Sequence, residues 1–272
     1  MSSKLVFLGT AGNSVVAAKN LRHSGGFVLK TDGVQLFFDP GPGAVAHAHR
    51  NNINLRENTA VLVSHSHLNH CNDVNALLAA MSHNKLDTRG ILITNESLAN
   101  SSFITPFHKS CAEKSIVATP GKRIGIEDVD ITALKALHHD PKTVGFKVVT
   151  PKFTMSYSAD TKYSRTVVKQ YEGSDVLVLN VPHPFDSEEE NALSSKDVVN
   201  IINQVKPELT VITHFGLKML NANPVYEVRE IKRQTNSQVI AAEDGMILDP
   251  VAYFSKARQK TLNFFAKRVT EE

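Results

Sequence analysis

Residues 59–70 read Thr-Ala-Val-Leu-Val-Ser-His-Ser-His-Leu-Asn-His, and this stretch constrains the fold more than any other. Its opening, Ala60 to Val63, is a short apolar run of the kind that forms a strand buried on both faces. The run leads into His65 and His67, which at i and i+2 project to the same side of an extended backbone. Asn69 and His70 follow at the entry to a helical pattern over residues 73–83. Three imidazoles within six residues at a strand-to-helix junction make a concave set of neutral nitrogen donors. Such a set suits a borderline-soft divalent cation such as zinc.

The rest of the chain alternates the two periodicities. Strand-like runs fall at residues 4–8, 26–30, 34–38, 60–63, 91–94, 116–118, 129–137, 143–149, 153–158, 176–181, 210–213 and 238–241. Helical patterns occupy 73–83, 164–172, 195–205 and 224–235. Both halves mix sheet and helix, which predicts an α/β fold of two sheets with helices outside each. A chain of 272 residues with 42% hydrophobic content can bury one large core, which excludes disorder. Its two cysteines, Cys71 and Cys111, are too few for a disulfide-stapled scaffold. No Pro/Ser/Gly linker divides it, so residues 1–250 form a single catalytic-size domain.

Residues 251–272 differ. Tyr253, Phe254, Ala257, Leu262, Phe265 and Val269 recur at helical spacing, with Lys256, Arg258, Lys260, Lys267 and Arg268 opposite. This predicts a basic amphipathic helix packed on its own domain or on a second subunit, which makes a homodimer plausible. Lys plus Arg is 30 against 27 for Asp plus Glu, so the formal charge of +3 favours no nucleic-acid partner and excludes none. The run Leu5-Val6-Phe7-Leu8 is too short for a signal-peptide core, and nothing approaches the roughly 18 apolar residues of a bilayer span. A cytoplasmic protein with no membrane partner is the expectation.

The Ser64-His65-Ser66-His67-Leu68-Asn69-His70 stretch resembles the HxHxDH signature of metallo-β-lactamase fold hydrolases. Four further segments follow in that family's order: Leu5 to Gly12 with Phe37 to Gly43, His139 six residues before Gly145, Tyr157-Ser158-Ala159-Asp160-Thr161, and Thr213-His214-Phe215-Gly216. The similarity is nearest to the ribonuclease Z-like and phosphodiesterase branch. It implies a four-layer αβ/βα sandwich of two mixed sheets. It also implies two metal sites, with His65, His67 and His139 at the first, His70, His214 and Asn69 at the second, and Asp160 bridging both. The implied cofactor is Zn2+, one or two per chain, with Mn or Fe as alternatives. The implied reaction is cleavage of a phosphodiester or ester bond by a metal-activated water.

Two positions depart from the family. Asn69 stands where an aspartate is usual, and Ala192 lies where a general-acid histidine is usual, leaving His183 as the nearest substitute. The catalytic candidates are thus Asn69, Asp160 and His183. These departures keep two rivals open: a lactonase, β-lactamase or thioesterase activity, and a catalytically impaired member that binds a metal or nucleotide. A small-molecule or nucleotide-like substrate is favoured over RNA, because no inserted arm is evident. Asp39 either orients a metal-bound histidine or only begins the turn of Pro40-Gly41-Pro42-Gly43. His138 is an alternative to His139, and Cys71 a thiolate candidate or a small buried residue. The loop Gly9-Thr10-Ala11-Gly12 lacks the pattern of a nucleotide cradle and is read as a turn at the pocket rim. The acidic run of residues 186–190 would oppose polyanionic substrates if it bordered the pocket.

Overall fold

The computed structural model describes residues 3–187 and 191–254. Strands β1 (Lys4–Phe7), β2 (Phe27–Thr31), β3 (Val34–Phe38), β4 (Ala60–Val63), β5 (Ile91–Asn95) and β6 (Lys114–Ala118) build one sheet. Its seventh strand is β14 (Ile247–Leu248), and the order is β14-β1-β2-β3-β4-β5-β6. The second sheet comprises β7 (Arg123–Ile126), β8 (Val129–Lys135), β9 (Val144–Val149), β10 (Thr154–Tyr157), β11 (Val176–Asn180), β12 (Leu209–Thr213) and β13 (Val239–Ala241). Its order runs β13-β12-β11-β10-β9-β8-β7.

The two sheets share one plan. In the first, β14 to β3 are antiparallel and β3 to β6 parallel, while in the second, β7 to β10 are antiparallel and β10 to β13 parallel. Strands β3 and β10 are the pivots at which direction changes. Crevices beyond the carboxyl ends of parallel strands at such switches are where open α/β sheets place their ligands.

Strand alternation sets the layers. Leu5 and Phe7 of β1 join Leu36, Phe38, Phe146, Val176, Val178 and Val211 in a core between the sheets. Val6 and Leu8 turn the other way, with Val28, Phe37, Val61 and Val63, onto helices α2 (Ala44–Arg50), α3 (Leu68–Cys71) and α4 (Val74–Met81). On the far side Leu177, Leu179 and Ile212 meet α7 (Arg165–Lys169), α8 (Ser195–Val205), α9 (Leu217–Ala222) and α10 (Pro224–Thr235). Helices α1 (Ser14–Ala18), α5 (Glu96–Asn100) and α6 (Pro106–Lys109) complete the set. The result is the four-layer αβ/βα sandwich that the sequence led us to expect. Central strands buried on both faces read as continuous apolar runs.

Several short elements departed from the periodicity reading. The pattern over 73–83 is α4, preceded by the short α3, which carries no periodicity of its own, and α7 is shorter than its pattern. Helices α1, α2, α5, α6 and α9 and strands β7 and β14 gave no signal, because four to seven residues, or two in β14, scarcely fill one period. Pro250–Tyr253 forms a 3-10 turn, and Tyr253 and Phe254 pack against the inter-sheet core, with the Phe254 ring 6.4 Å from Phe153. Residues 255–272, most of the expected amphipathic helix, lie outside the described residues. Among the described residues no helix is long and apolar enough to cross a membrane.

Candidate metal centre

The side chains around the predicted centre lie beyond the carboxyl ends of strands, with Asn69 and His70 on the short helix α3 that follows β4. Asp39 follows β3, His65 and His67 follow β4, His138 follows β8, Asp160 follows β10 and His214 follows β12. Asp39, Ala159 and His214 all adopt positive φ, of 49°, 51° and 66°. Non-glycine residues pay for that conformation, and clustering of such strain is typical of functional sites. The loop after β1 holds the His214 turn in place. Gly12 N–H donates to Phe215 O, Phe215 N–H donates to Thr10 O, and a Cβ at Gly12 would lie 2.3 Å from His214 O. Only glycine permits that approach, so the predicted rim turn is also a structural clamp.

Four donor atoms converge at the first position. His65 Nε2 lies 3.0 Å from His67 Nδ1 and 3.7 Å from Asp160 Oδ2. His138 Nε2 lies 3.4 Å from His67 Nδ1 and 3.7 Å from Asp160 Oδ2. Bonds of about 2.0–2.1 Å to a tetrahedral zinc separate the ligand atoms by about 3.3 Å. The observed edges bracket that value, so the donors fit a single such cation. Burial, then the neighbouring His70, holds His65 well below its usual pKa. Burial, then His138, lowers the pKa of His67. Both rings are therefore neutral near pH 7, as ligation requires.

The second group shares Asp160. His70 Nε2 is 3.3 Å from Asp160 Oδ2, and His214 Nε2 is 3.2 Å from Asp160 Oδ1. His70 Nδ1 donates to Asp39 Oδ2 at 2.9 Å, which fixes the tautomer and turns Nε2 into the site. That Nε2 is buried and has no hydrogen-bond partner in acceptable geometry. An orphaned ring nitrogen facing a carboxylate is what a cation position between them leaves behind. Burial disfavours the charged imidazole, but Asp160 and Asp39 outweigh it and raise the His70 pKa to about 10. Burial likewise opposes ionisation of Asp160, yet His214 and His70 keep its carboxyl well below the usual range. A divalent cation bound there would take the place of the proton between His70 Nε2 and Asp160.

The structure decides between the two roles considered for Asp39. Its Oδ2 accepts from His70, from Ser64 Oγ at 2.8 Å and from Tyr157 OH at 2.6 Å, while Oδ1 accepts from Ser64 N–H at 2.7 Å. Ser64 Oγ in turn accepts from His65 Nδ1 at 2.9 Å, so one carboxylate orients a histidine of each group. Tyr157 also meets Asn180, whose Nδ2 donates to Asp160 Oδ1 at 2.7 Å. Ser64, Tyr157 and Asn180 join the two carboxylates into one buried network. No spacing along the chain signals the role of these three, because each comes from the end of a different strand.

One expected ligand is displaced. His138, not His139, enters the first group. Leu137 N–H donates to Thr161 Oγ1, and Leu137 O accepts from Lys162 N–H, which ties that segment to the Asp160 loop and puts residue 138 beside the carboxylate. His139 lies one step further out, exposed, with its Nε2 3.2 Å from Asn191 Nδ2. Counting back from Gly145 could not separate adjacent histidines. The loop is held by Asp140, which accepts from Asn95 Nδ2, Ser97 Oγ and Ser66 Oγ. Cys71 is no thiolate: it is fully buried, and burial raises its pKa to about 12.

A cleft of about 700 Å³ opens over these donors, and Asn69, His139, His183, Asn191, Ala192 and Lys218 help to line it. Asn69 and His183 are thus at the site, though neither belongs to a His/Asp donor group. Glu188 to Glu190 of the acidic run lie outside the described residues. A larger cleft of about 1050 Å³ opens at the opposite pole, by the amino ends of β3, β4 and β5, and no histidine lines it.

Comparison with known proteins agrees with this geometry. Residues 35–215, which include Asp39 and every histidine and aspartate of the two donor groups, match the Beta-lactamase superfamily domain. The chain belongs to the beta-lactamase superfamily. Another member-sized relative, an uncharacterized protein of Methanocaldococcus jannaschii, is 27% identical over 90% of this chain and 94% of its own. Ribonuclease Z of Methanopyrus kandleri is 28% identical over 59% of this chain and 54% of its own length. Among solved structures, the metallo-β-lactamase fold protein YhfI from Bacillus subtilis superposes with a TM-score of 0.78 at 18% identity, covering 91% of this chain and 99% of that one. A diphosphatase from the PhnP family does so with a TM-score of 0.68 at 19% identity, covering 90% and 97%. Superfamily membership makes the chain a metallo-β-lactamase fold hydrolase by family, and its His/Asp cluster can hold a metal.

Proposed function

We propose that this protein is a metal-dependent phosphodiesterase. The observation that carries the reading is a pair of donor groups, five imidazoles in all, joined by a single bridging carboxylate, Asp160. His65, His67 and His138 with Asp160 would hold one cation, and His70 and His214 with Asp160 the other. Bound there, two divalent cations supply Lewis-acid activation of water and charge stabilisation at the scissile group. Asn69 adds no negative charge beside them, so the centre stays strongly cationic and favours a substrate that is itself anionic. The ribonuclease Z and diphosphatase relatives point the same way.

His183 is our candidate for protonating the leaving group. Its carbonyl accepts from Ser195 N–H and the residue pairs with Ser194, which sets the ring in the wall of the cleft. Ala192, in the same wall, offers no proton. Lys218 adds positive charge to that wall.

Metal analysis of the purified protein together with turnover of bis(p-nitrophenyl) phosphate, a p-nitrophenyl ester, a lactone and a β-lactam tests this reading. Diester turnover that needs zinc, manganese or iron and disappears in His67→Ala supports it. Stoichiometric metal with no diester turnover, while the lactone or carboxylic ester is consumed, overturns it.

A further inference from the structure

A second cleft adjoins the first. About 520 Å³ in volume, it lies between α1, the loop of residues 20–24 and the start of α2, and Asn69 lines both clefts. Its charged lining is basic, Arg22 and Arg50, and the rings of His23 and His47 in the same lining stack on each other at a separation of 4.2 Å. No Asp or Glu lines it. Two carboxylates stand nearby: Asp244, whose Oδ2 lies 3.7 Å from the His23 ring nitrogen Nδ1, and Asp73, and both also accept from other donors. Asp244 accepts from the N–H groups of Thr10 and His23 and from Thr10 Oγ1, and Asp73 accepts from Val45 N–H and Asn72 Nδ2. Neither guanidinium has a carboxylate partner among the described residues, whereas Arg56 and Arg233 each pair with one. Burial, then His23 and Arg50, lowers the pKa of His47 against the opposing pull of Asp244 and Asp73.

We infer that this cleft is a phosphate subsite, and that the substrate is an oligonucleotide strand whose neighbouring phosphate docks between Arg22 and Arg50 while its scissile diester lies over the His/Asp cluster. The inference rests on the phosphodiesterase reading above and narrows it from diesters in general to strands with at least two phosphates. Guanidinium groups recognise phosphate with bidentate, charge-assisted hydrogen bonds. The His23 and His47 rings add N–H donors around the same volume, while Ser24 Oγ donates to Asn69 O. Asn69, between the two clefts, marks the path that the strand takes from one to the other.

The test compares the protein with its Arg22→Gln/Arg50→Gln double variant in two assays. Fluorescence anisotropy with a fluorescein-labelled oligothymidylate, titrated at several salt concentrations, reads binding. Turnover of bis(p-nitrophenyl) phosphate, which has only one phosphate, reads the centre itself. The double variant should keep its diester turnover, bind the oligonucleotide about tenfold more weakly, and show a salt slope shallower by about 0.7, the share of the one phosphate that the two arginines hold. Retained turnover shows that the variant is folded. Equal affinity and equal salt slope in the two proteins overturn the subsite. A protein that leaves the diester intact, yet binds the strand through these arginines, overturns the phosphodiesterase reading and keeps the subsite.

Discussion

The two sheets share a strand plan, yet they supply the centre in different ways. The first delivers His65, His67 and His70 from one strand end and the short helix after it. The second delivers His138, Asp160 and His214 from the ends of three strands. Even the two carboxylates that follow the pivot strands differ: Asp39, after β3, orients a histidine from behind, whereas Asp160, after β10, faces both donor groups. A local stretch is fixed by its own turn, as in the bond from His70 N–H to His67 O. Distributed ligands depend on each strand arriving at the right height, so they need cross-braces such as Asn180 and Asp140. The first half therefore sets the chemistry of the donors and the second half sets their spacing.

Removing the shared residue should break this division most severely. Asp160→Ala deletes the one oxygen-bearing side chain common to both groups and leaves His70 without the anion that its buried ring faces. We expect loss of both metal equivalents, measured by elemental analysis of dialysed protein, and a fall in diester turnover beyond the roughly 100-fold that an outer partner costs. Retention of two equivalents would show that the histidines alone define the sites.

The adjacent pair in the second half gives the next largest contrast. His138→Ala should lose the first metal equivalent and most activity, while His139→Ala should change either by no more than about twofold, the size of an exposed polar contact. Parallel metal titrations of the two variants read the difference directly. The opposite order would restore the assignment made by counting from Gly145, and would mean that the loop pinned by Asp140 shifts when a cation binds.

Legibility in the sequence followed the same division. The αβ/βα sandwich was readable because central strands of both sheets are apolar on each face, and the first three histidines because one stretch holds them all. Asp160 and His214 were found only as parts of short motifs resembling a known family. The choice between His138 and His139 was out of reach, since it depends on the bonds from Leu137 to Thr161 and Lys162 across two loops. Asn180 left no local trace, and Tyr157 stood only as a neighbour in the Asp160 motif: an apolar strand ending in a tyrosine looks the same whether its hydroxyl meets water or, as here, Asp39.

Smaller effects should come from the residues behind the ligands, and here the halves should differ in kind. Asp39→Asn keeps an acceptor for His70 but loses the charge, so metal affinity should fall by about 10–100-fold, chiefly at the second group. Asn180→Ala frees Asp160 Oδ1 on one side, and because that carboxylate serves both groups the loss should be shared between the two equivalents. Competition with a chromogenic chelator resolves the two binding steps. If Asn180→Ala weakened only one step, Asp160 would not be acting as a bridge.

Asn69→Asp should have the smallest effect on metal affinity, and it reverses the direction of the others. The side chain lines the catalytic cleft beside His67, His70 and His214, where Asp160 is the only carboxylate within the donor groups. A second carboxylate there lowers the net positive charge of a loaded centre and offers an oxygen ligand, so the second cation should bind tighter by about tenfold, or about 1.4 kcal/mol. The same charge repels an anionic substrate. The ratio of kcat/KM for bis(p-nitrophenyl) phosphate to that for a neutral p-nitrophenyl ester should therefore fall even as metal affinity rises. An unchanged second affinity would mean that position 69 faces the cleft without reaching the cation. A tighter cation with an unchanged substrate ratio would place the selection for anions in the arginine cleft, on the far side of Asn69.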